Sequence, residues 1–259
     1  MILRAIAAML LLGCTRPSTV RPTPLPTAEQ LLAHLRARAQ RTLTVRTEAK
    51  VDYLAERGER IKLSMTFLTS RHPVGVRIDA ENPLGGTVAS LATDAERFEL
   101  HDSRQNRFLS GEATPCNLAR LLRVWVQPTD LIEILTGGAP LLGNSATVGW
   151  DSRDGGRDVL KLSDNGLQET IRFLPEVWDV ASVEMAGADG KLIYRVVHED
   201  FGDEAGFRFP GKSWIFDPEH HADAKIRYRA RDLAPIASAD AFRLVPPPGI
   251  PVETVRCSE

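Results

Sequence analysis

Residues 43–53 read LTVRTEAKVDY, and apolar side chains alternate with polar ones along nearly the whole stretch. A period of two is typical of a β-strand with one face in a core and the other in water. The same alternation returns at residues 61–67, after the turn at Arg57-Gly58, and at residues 74–80, after His72-Pro73. Three such strands joined by short turns predict an antiparallel meander.

Further strands are predicted along the rest of the chain, with Gly, Asp or Pro between most of them. They cover residues 87–93, 96–101, 106–110, 146–152, 157–163, 167–174, 180–187, 191–199, 212–217 and 224–231. No internal repeat is visible in the sequence.

Three helices are predicted from apolar residues at helical spacing. Thr27-Ala28-Glu29-Gln30 fits a capping box, so the first helix is expected at Thr27–Arg41. The second begins at Thr114-Pro115, and Pro128 begins the third, which Gly137-Gly138 ends. The shared apolar face of the second helix comprises Leu118, Leu121, Leu122 and Trp125.

A single antiparallel sheet of this size cannot stay flat, because strand twist makes it curl. The expected fold is therefore mainly β (α+β), an unclosed antiparallel β-barrel or half-barrel with helices covering or plugging its concave side. Such a sheet can also leave an apolar cavity for a ligand. The candidate lining residues, each of which could equally be plain core, are Val51, Tyr53, Met65, Phe67, Ile78, Phe98, Leu100, Ile171, Phe173, Tyr194 and Tyr228.

The N-terminus has the pattern of a bacterial lipoprotein export signal. The apolar segment Ala5–Leu12 is far shorter than the roughly 20 residues needed to span a bilayer, so it predicts a cleaved signal. Leu11 and Gly13 before Cys14 form the pattern that lipoprotein-processing enzymes read. Residues 1–13 are therefore predicted to be removed and Cys14 to be acylated. An ordinary secretory signal with a chance cysteine is the alternative.

The remaining chain divides into a tether and a body. Residues 14–26 contain four prolines and favour an extended tether, and residues 27–259 are expected to form a single domain. Once Cys14 is acylated, Cys116 and Cys257 remain in an oxidising compartment, where a disulfide could form and persist. Two free, separately buried thiols are the alternative.

Charge and motifs argue against nucleic-acid binding and against catalysis. The formal net charge of −2 over 259 residues creates no strong field for nucleic acid. His220-His221 lacks an accompanying CxxC or HExxH motif, so a solvated turn is expected there rather than a metal site. No GxSxG elbow and no phosphate-binding glycine loop is present. The chain is therefore predicted to be a non-enzyme that needs no metal or cofactor.

Basic residues alternate along one of the last predicted strands. Arg227, Arg229 and Arg231 share one face, with Tyr228 on the other. A solvated strand face is expected, and a docking surface for an acidic carrier is the alternative.

The turn Asn82-Pro83-Leu84-Gly85-Gly86 carries an apolar residue at its centre, where a polar one would be expected. This turn, the Cys14 lipobox, the helix–strand–strand–strand order and the Leu-rich insertion at 115–136 together resemble the LolB outer-membrane lipoprotein receptor. That receptor belongs to the LolA/LolB-like carrier superfamily. The resemblance covers about residues 27–140, and residues 240–249 look more loosely like the closing segment of LolA-like chains.

The resemblance implies a function in lipoprotein localisation. Pro83, Leu84 and Gly85 would form a protruding membrane-insertion loop, although a turn leucine packed on the domain is the alternative for Leu84. The implied partners are a LolA-like periplasmic carrier and acylated lipoproteins as cargo, with a monomer anchored on the periplasmic face of the outer membrane. Residues 201–210 and the tail to Glu259 depart from the receptor's pattern.

Two other functions remain open at this stage. One is a lipid-binding or lipid-transport lipoprotein that carries phospholipid or glycolipid. The other is a structural envelope lipoprotein with a filled core, which a cavity above about 300 Å³ would argue against.

Overall fold

The computed structural model describes residues 19–21, 23–54, 58–143, 145–204, 206–233 and 235–257. Its helices are α1 (Ala28–Arg41), α2 (Pro115–Leu122) and α3 (Pro128–Leu135), followed late in the chain by a 3₁₀ helix at Ala239–Phe242. The strands are β1 (Thr44–Leu54), β2 (Arg60–Arg71), β3 (Val74–Glu81), β4 (Thr87–Thr93), β5 (Arg97–Asp102), β6 (Arg107–Glu112), β7 (Ser145–Asp151), β8 (Arg157–Asp164), β9 (Leu167–Phe173), β10 (Val180–Ala186), β11 (Leu192–Glu199), β12 (Gly202–Glu204), β13 (Phe207–Phe209), β14 (Lys212–Asp217), β15 (Ala222–Asp232) and β16 (Val252–Thr254).

Fourteen of the described strands form one large curled sheet. Their order is β16-β6-β5-β4-β3-β2-β1-β15-β14-β11-β10-β9-β8-β7, antiparallel throughout except that β16 runs parallel to β6. The sheet is unclosed, with β16 and β7 at its edges. The expected half-barrel is confirmed, and the downstream strands lie within two residues of their predicted bounds.

The helices cover the concave face of this sheet. Thr27 caps α1, because its side chain accepts a hydrogen bond from the Gln30 backbone N–H while the Gln30 side chain accepts one from the Thr27 N–H. Helix α3 packs on β2 and β3, α2 packs on β4, and α1 contacts the far edge strand β7. Their buried leucines and isoleucines join the inward strand residues in one apolar cluster.

Trp125 does not extend the apolar face of α2, so this detail of the prediction is wrong. The helix ends at Leu122 because Arg123 takes a left-handed conformation, with φ of 57°. Trp125 lies in the loop before α3 and stacks on His220, with ring centroids 3.9 Å apart. The loop between α2 and α3 thereby rests on the turn between β14 and β15.

A β-bulge changes the prediction for Arg231. The register of β1 and β15 shifts between Glu48 and Ala49, which leaves Arg229 of β15 without an opposite residue. Arg227 and Arg229 stay exposed, as expected, but the Arg231 side chain is 1% exposed. The prediction of a solvated Arg231 is therefore wrong. The extra residue in β15 reverses which face of the sheet the following side chains occupy.

The sequence analysis did not predict the strands β12 and β13, which form a hairpin. Aromatic rings of this hairpin contact two buried cations. The Arg231 guanidinium lies 4.7 Å from the centroid of the Phe209 ring, and that of Arg38 lies 4.6 Å from the Phe207 ring. Arg38 also donates hydrogen bonds to the Thr136 and Arg208 carbonyls at 2.8 and 2.9 Å. Arg231 also pairs with Glu204 of β12, so this end of the half-barrel is closed by a charge pair and by aromatic rings.

The C-terminal segment packs on the half of the sheet that contains β3 and β6. Phe242 is buried against Gly75 of β3, and β16 pairs with β6. A disulfide joins Cys116, at the start of α2, to Cys257, with Cα atoms 6.1 Å apart. The tail thus holds the helical insertion against the sheet edge.

We expect Gly75→Ala to destabilise the fold, because a Cβ at this position would overlap the ring of Phe242. Overpacking of this kind costs about 1–3 kcal/mol, which urea denaturation would measure. The matched control is Gly149→Ala in β7, where a Cβ would meet no atom within 4 Å. Equal stability of the two variants would contradict the packing of Phe242 on β3.

Candidate functional site: the open end of the half-barrel

Asn82 builds the turn that presents Leu84. Its Oδ1 accepts hydrogen bonds from the backbone N–H groups of Leu84 and Gly86 at 2.8 and 3.2 Å, and its carbonyl accepts from Gly85 N at 3.0 Å. Gly85 has a φ of 86°, which a glycine adopts without strain. Leu84 is left 95% exposed at the tip, so a rigid turn holds an aliphatic side chain in solvent.

The eleven residues predicted to line a cavity lie together, but most of them lie in packed core. All eleven belong to one apolar cluster, and none is more than 8% exposed. Leucines from all three helices belong to the same cluster. Tyr194 is the one member of the eleven that lines the apolar opening at the mouth of the half-barrel.

That opening is a cleft of about 530 Å³ between the helical insertion and the strands β9, β10 and β11. Three depressions of about 630 to 670 Å³ elsewhere in the described chain are lined mainly by charged and polar side chains. The apolar side chains of the cleft include Trp125, Leu141, Leu142, Leu167, Met185 and Ile193. An apolar cleft with a few polar groups is the usual form of a small-molecule site.

The cleft and Leu84 lie at the same end of the sheet. Antiparallel strands reverse direction at each step, so the β3–β4, β8–β9 and β10–β11 turns all fall on one rim. Leu167 and Ile193 of the cleft stand directly after two of these turns. Leu141 and Leu167, which are 40% and 37% exposed, add to the apolar surface of this rim.

Two acidic side chains of α3 face the cleft. Asp130 accepts a hydrogen bond from the Tyr194 hydroxyl at 3.1 Å, and burial raises the pKa of its carboxyl. Glu133 pairs with Arg71, and burial raises the pKa of Glu133 although Arg71 opposes the rise. Burial also raises the pKa of Tyr194, and the neighbouring carboxylates raise it further.

Glu169 of β9 is a third and more isolated carboxyl. It is fully buried, its Oε2 accepts from the Leu142 backbone N–H at 3.2 Å, and its Oε1 has no hydrogen-bond partner. Burial raises the pKa of Glu169 to about 8, and Asp130 and Glu133 act in the same direction. The sequence pattern could have identified Glu169 as a buried carboxyl, because it shares its strand face with Ile171 and Phe173.

Cys14 and the signal segment lie outside the described residues. His220 and His221 are exposed in the β14–β15 turn, and the described residues contain no group of three His, Cys, Asp or Glu side chains that could hold a metal. None of the helices within the described ranges is long and apolar enough to cross a membrane.

Comparison with solved structures assigns the fold. The chain is similar to a LolA superfamily protein from Nitrosomonas europaea, at 12% identity and a TM-score of 0.58, over 85% of this chain and 98% of that one. It is also similar to an outer membrane lipoprotein-sorting protein domain from Vibrio parahaemolyticus, at 9% identity, a TM-score of 0.57 and coverage of 82% and 94%. A DUF1329 family protein from Desulfovibrio piger matches at 10% identity, a TM-score of 0.59 and coverage of 83% and 95%.

No protein-family profile matches the sequence, and no curated protein matches it significantly. The structural matches nevertheless show that the chain has the fold expected from its resemblance to LolA/LolB-like proteins.

We expect Glu169→Gln to stabilise the protein increasingly as pH rises. A folded-state pKa of about 8, above the ordinary value of 4.5, means that Glu169 favours folding at low pH and that this contribution is lost between about pH 4.5 and 8. The stability difference between variant and parent should grow by roughly 5 kcal/mol at most over that window. Urea denaturation at pH 5 and pH 8.5 would measure it, and a pH-independent difference would show that Glu169 is not buried.

Proposed function

We propose that this chain is a lipid-anchored, non-enzymatic envelope protein that holds acyl chains of its cargo in the apolar cleft and passes them to a membrane at the open end. The observation that carries the proposal is the position of the cleft and of the exposed Leu84 on the same rim of the half-barrel. Each methylene group moved out of water contributes about 0.8 kcal/mol, so an apolar cleft lowers the cost of carrying a chain through an aqueous compartment. Transfer to a bilayer then needs no covalent chemistry.

We also propose a particular cargo and a particular membrane. The cargo would be an acylated lipoprotein delivered by a LolA-like periplasmic carrier, and insertion would take place in the outer membrane, where acylated Cys14 anchors the receptor as a monomer. The similarity to an outer membrane lipoprotein-sorting protein domain supports an envelope location. The lipobox and the turn at residues 82–86 support the receptor role.

A second candidate function, transport of phospholipid or glycolipid, is favoured by the size of the cleft. Its volume of about 530 Å³ is that of a site for a single small ligand, and three acyl chains would require the helices to move. The same volume counts against a structural lipoprotein with a filled core.

We expect Leu84→Glu to leave stability unchanged and to reduce delivery of cargo to membranes about tenfold, because burying a leucine contributes about 1.5–3 kcal/mol. The assay measures transfer of a fluorescent lipoprotein from a LolA-like carrier to vesicles bearing this protein. The matched control is Ile236→Glu, which replaces an equally exposed aliphatic residue beyond the opposite end of β15. Unchanged delivery by Leu84→Glu would remove the insertion role of this turn.

The two cargo classes can be separated by native mass spectrometry. The full chain with Cys14→Ser carries no acyl anchor of its own, so any bound lipid mass belongs to cargo. We expect a bound lipoprotein fragment if the receptor role holds. Co-purified phospholipid or glycolipid would instead favour the second function.

A further inference from the structure

Asp130 lines the cleft, whereas Glu169 is fully buried behind the lining residues Leu142 and Met185, and neither carboxyl is needed to build the cleft. Paired residues place Leu162, Glu169, Met185 and Tyr194 in one row across β8 to β11, on the inner face of the sheet. Leu162 and Met185, on either side of Glu169, belong to the apolar cluster. Glu169 therefore occupies a position where an aliphatic side chain would complete the packing.

The carboxyl of Glu169 is also left partly unsatisfied. Its Oε1 has no hydrogen-bond partner, and its side chain is fully buried. Asp130 accepts a hydrogen bond from the Tyr194 hydroxyl. Within the described chain, neither Asp130 nor Glu169 forms an ion pair with a Lys or Arg side chain, since the nearby Arg71 pairs with Glu133. Burying polar groups without full pairing is costly, so the missing partner points to a ligand.

We propose that the cleft binds an amphiphile whose headgroup is a primary ammonium, with the apolar chain against Leu141, Leu167 and Ile193 and the ammonium against Asp130 and the Tyr194 oxygen, in front of the buried Glu169 carboxyl. This inference rests on the proposed function, since it names the headgroup of the cargo as the amine of a phospholipid or the free N-terminus of a lipoprotein with two acyl chains. A third acyl chain on that N-terminus would convert the amine to an amide. An ammonium group has three donors, and the Asp130 carboxylate and the Tyr194 oxygen, which line the cleft, offer acceptors to it. Hydrogen bonds between ionised partners are about twice as strong as neutral ones, and they gain further in an apolar site.

Binding is coupled to release of a proton. Glu169, with its pKa raised to about 8, is largely protonated at neutral pH, and an arriving ammonium favours the ionised carboxylate. The groups that face Glu169 are Asp130 and Glu133 from α3, Tyr194 from β11 and the Leu142 N–H from the loop before β7. Arg71 pairs with Glu133, so it compensates that carboxylate rather than Glu169. Affinity for an ammonium should rise with pH up to about 8.

The test compares three probes that share one ten-carbon chain and differ only in headgroup: decylammonium, decanol and decanoate. Calorimetry with the full chain carrying Cys14→Ser should show decylammonium binding about tenfold more tightly than decanol, and decanoate most weakly. Equal affinity for all three would overturn the headgroup inference and leave the proposed function standing. Failure of all three to bind would overturn the proposed function as well.

Substitutions of Glu169 and Asp130 test whether these two carboxyls cause the preference for decylammonium over decanol. Glu169→Gln and Asp130→Asn should each reduce the ratio of decylammonium affinity to decanol affinity from about tenfold towards one, with folding checked by circular dichroism. The control is Glu219→Gln, because Glu219 is an exposed carboxylate on the same rim, paired with Lys191. A preference that survives both cleft variants would contradict the proposal.

A second pair of probes separates the two sources of a primary ammonium. Lysophosphatidylethanolamine carries it on a phospholipid headgroup, whereas a diacylated cysteinyl peptide carries it on a free N-terminus. The N-acetylated form of each probe is the matched control and should bind about tenfold more weakly. The probe with the larger loss on acetylation identifies the source, and no loss for either one would overturn the inference.

Discussion

The curl of one fourteen-stranded sheet is the constraint on which the rest of this structure depends. Because strand twist wraps the apolar face inward, every inward side chain must be covered by another element. Three short helices provide that cover, with α3 on β2 and β3, α2 on β4 and α1 reaching β7. The cleft beside β9 to β11 lies where this helical cover ends.

The two ends of the half-barrel bury ionisable side chains of opposite sign. At the closed end, Arg38 and Arg231 are cationic, and carbonyl groups and aromatic faces surround them. At the open end, Asp130 and Glu169 are acidic, and the described residues offer them no cation. An uncompensated buried charge is far more costly than a paired one. At the closed end Arg231 is paired with Glu204, although Arg38 Nε and Arg231 Nε have no hydrogen-bond partner within the described chain. Under our proposal, a cationic ligand would pair with the acidic groups of the open end.

Under the proposed function, the geometry of the rim would let one protein combine binding with delivery. Leu84 is held in solvent by the hydrogen bonds of Asn82, so its exposure does not depend on packing elsewhere. The loop that carries Trp125 forms one wall of the cleft and rests on His220 through ring stacking. The apolar cleft and the exposed Leu84 therefore share one rim, while the opposite end is closed by the hairpin β12–β13.

The sequence by itself determined the long strands, the capped first helix and the turn at residues 82–86, because alternation, caps and turn residues act locally. It also placed Glu169 on the same face as Ile171 and Phe173. Strands β12, β13 and β16 have three residues each, too few to show a period. Only the tertiary structure decided that the Arg231 side chain is buried, that ten of eleven inward residues are packed core, and that the Oε1 atom of Glu169 lacks a hydrogen-bond partner. These outcomes depend on a bulge and on contacts between residues far apart in the chain, which no local pattern records.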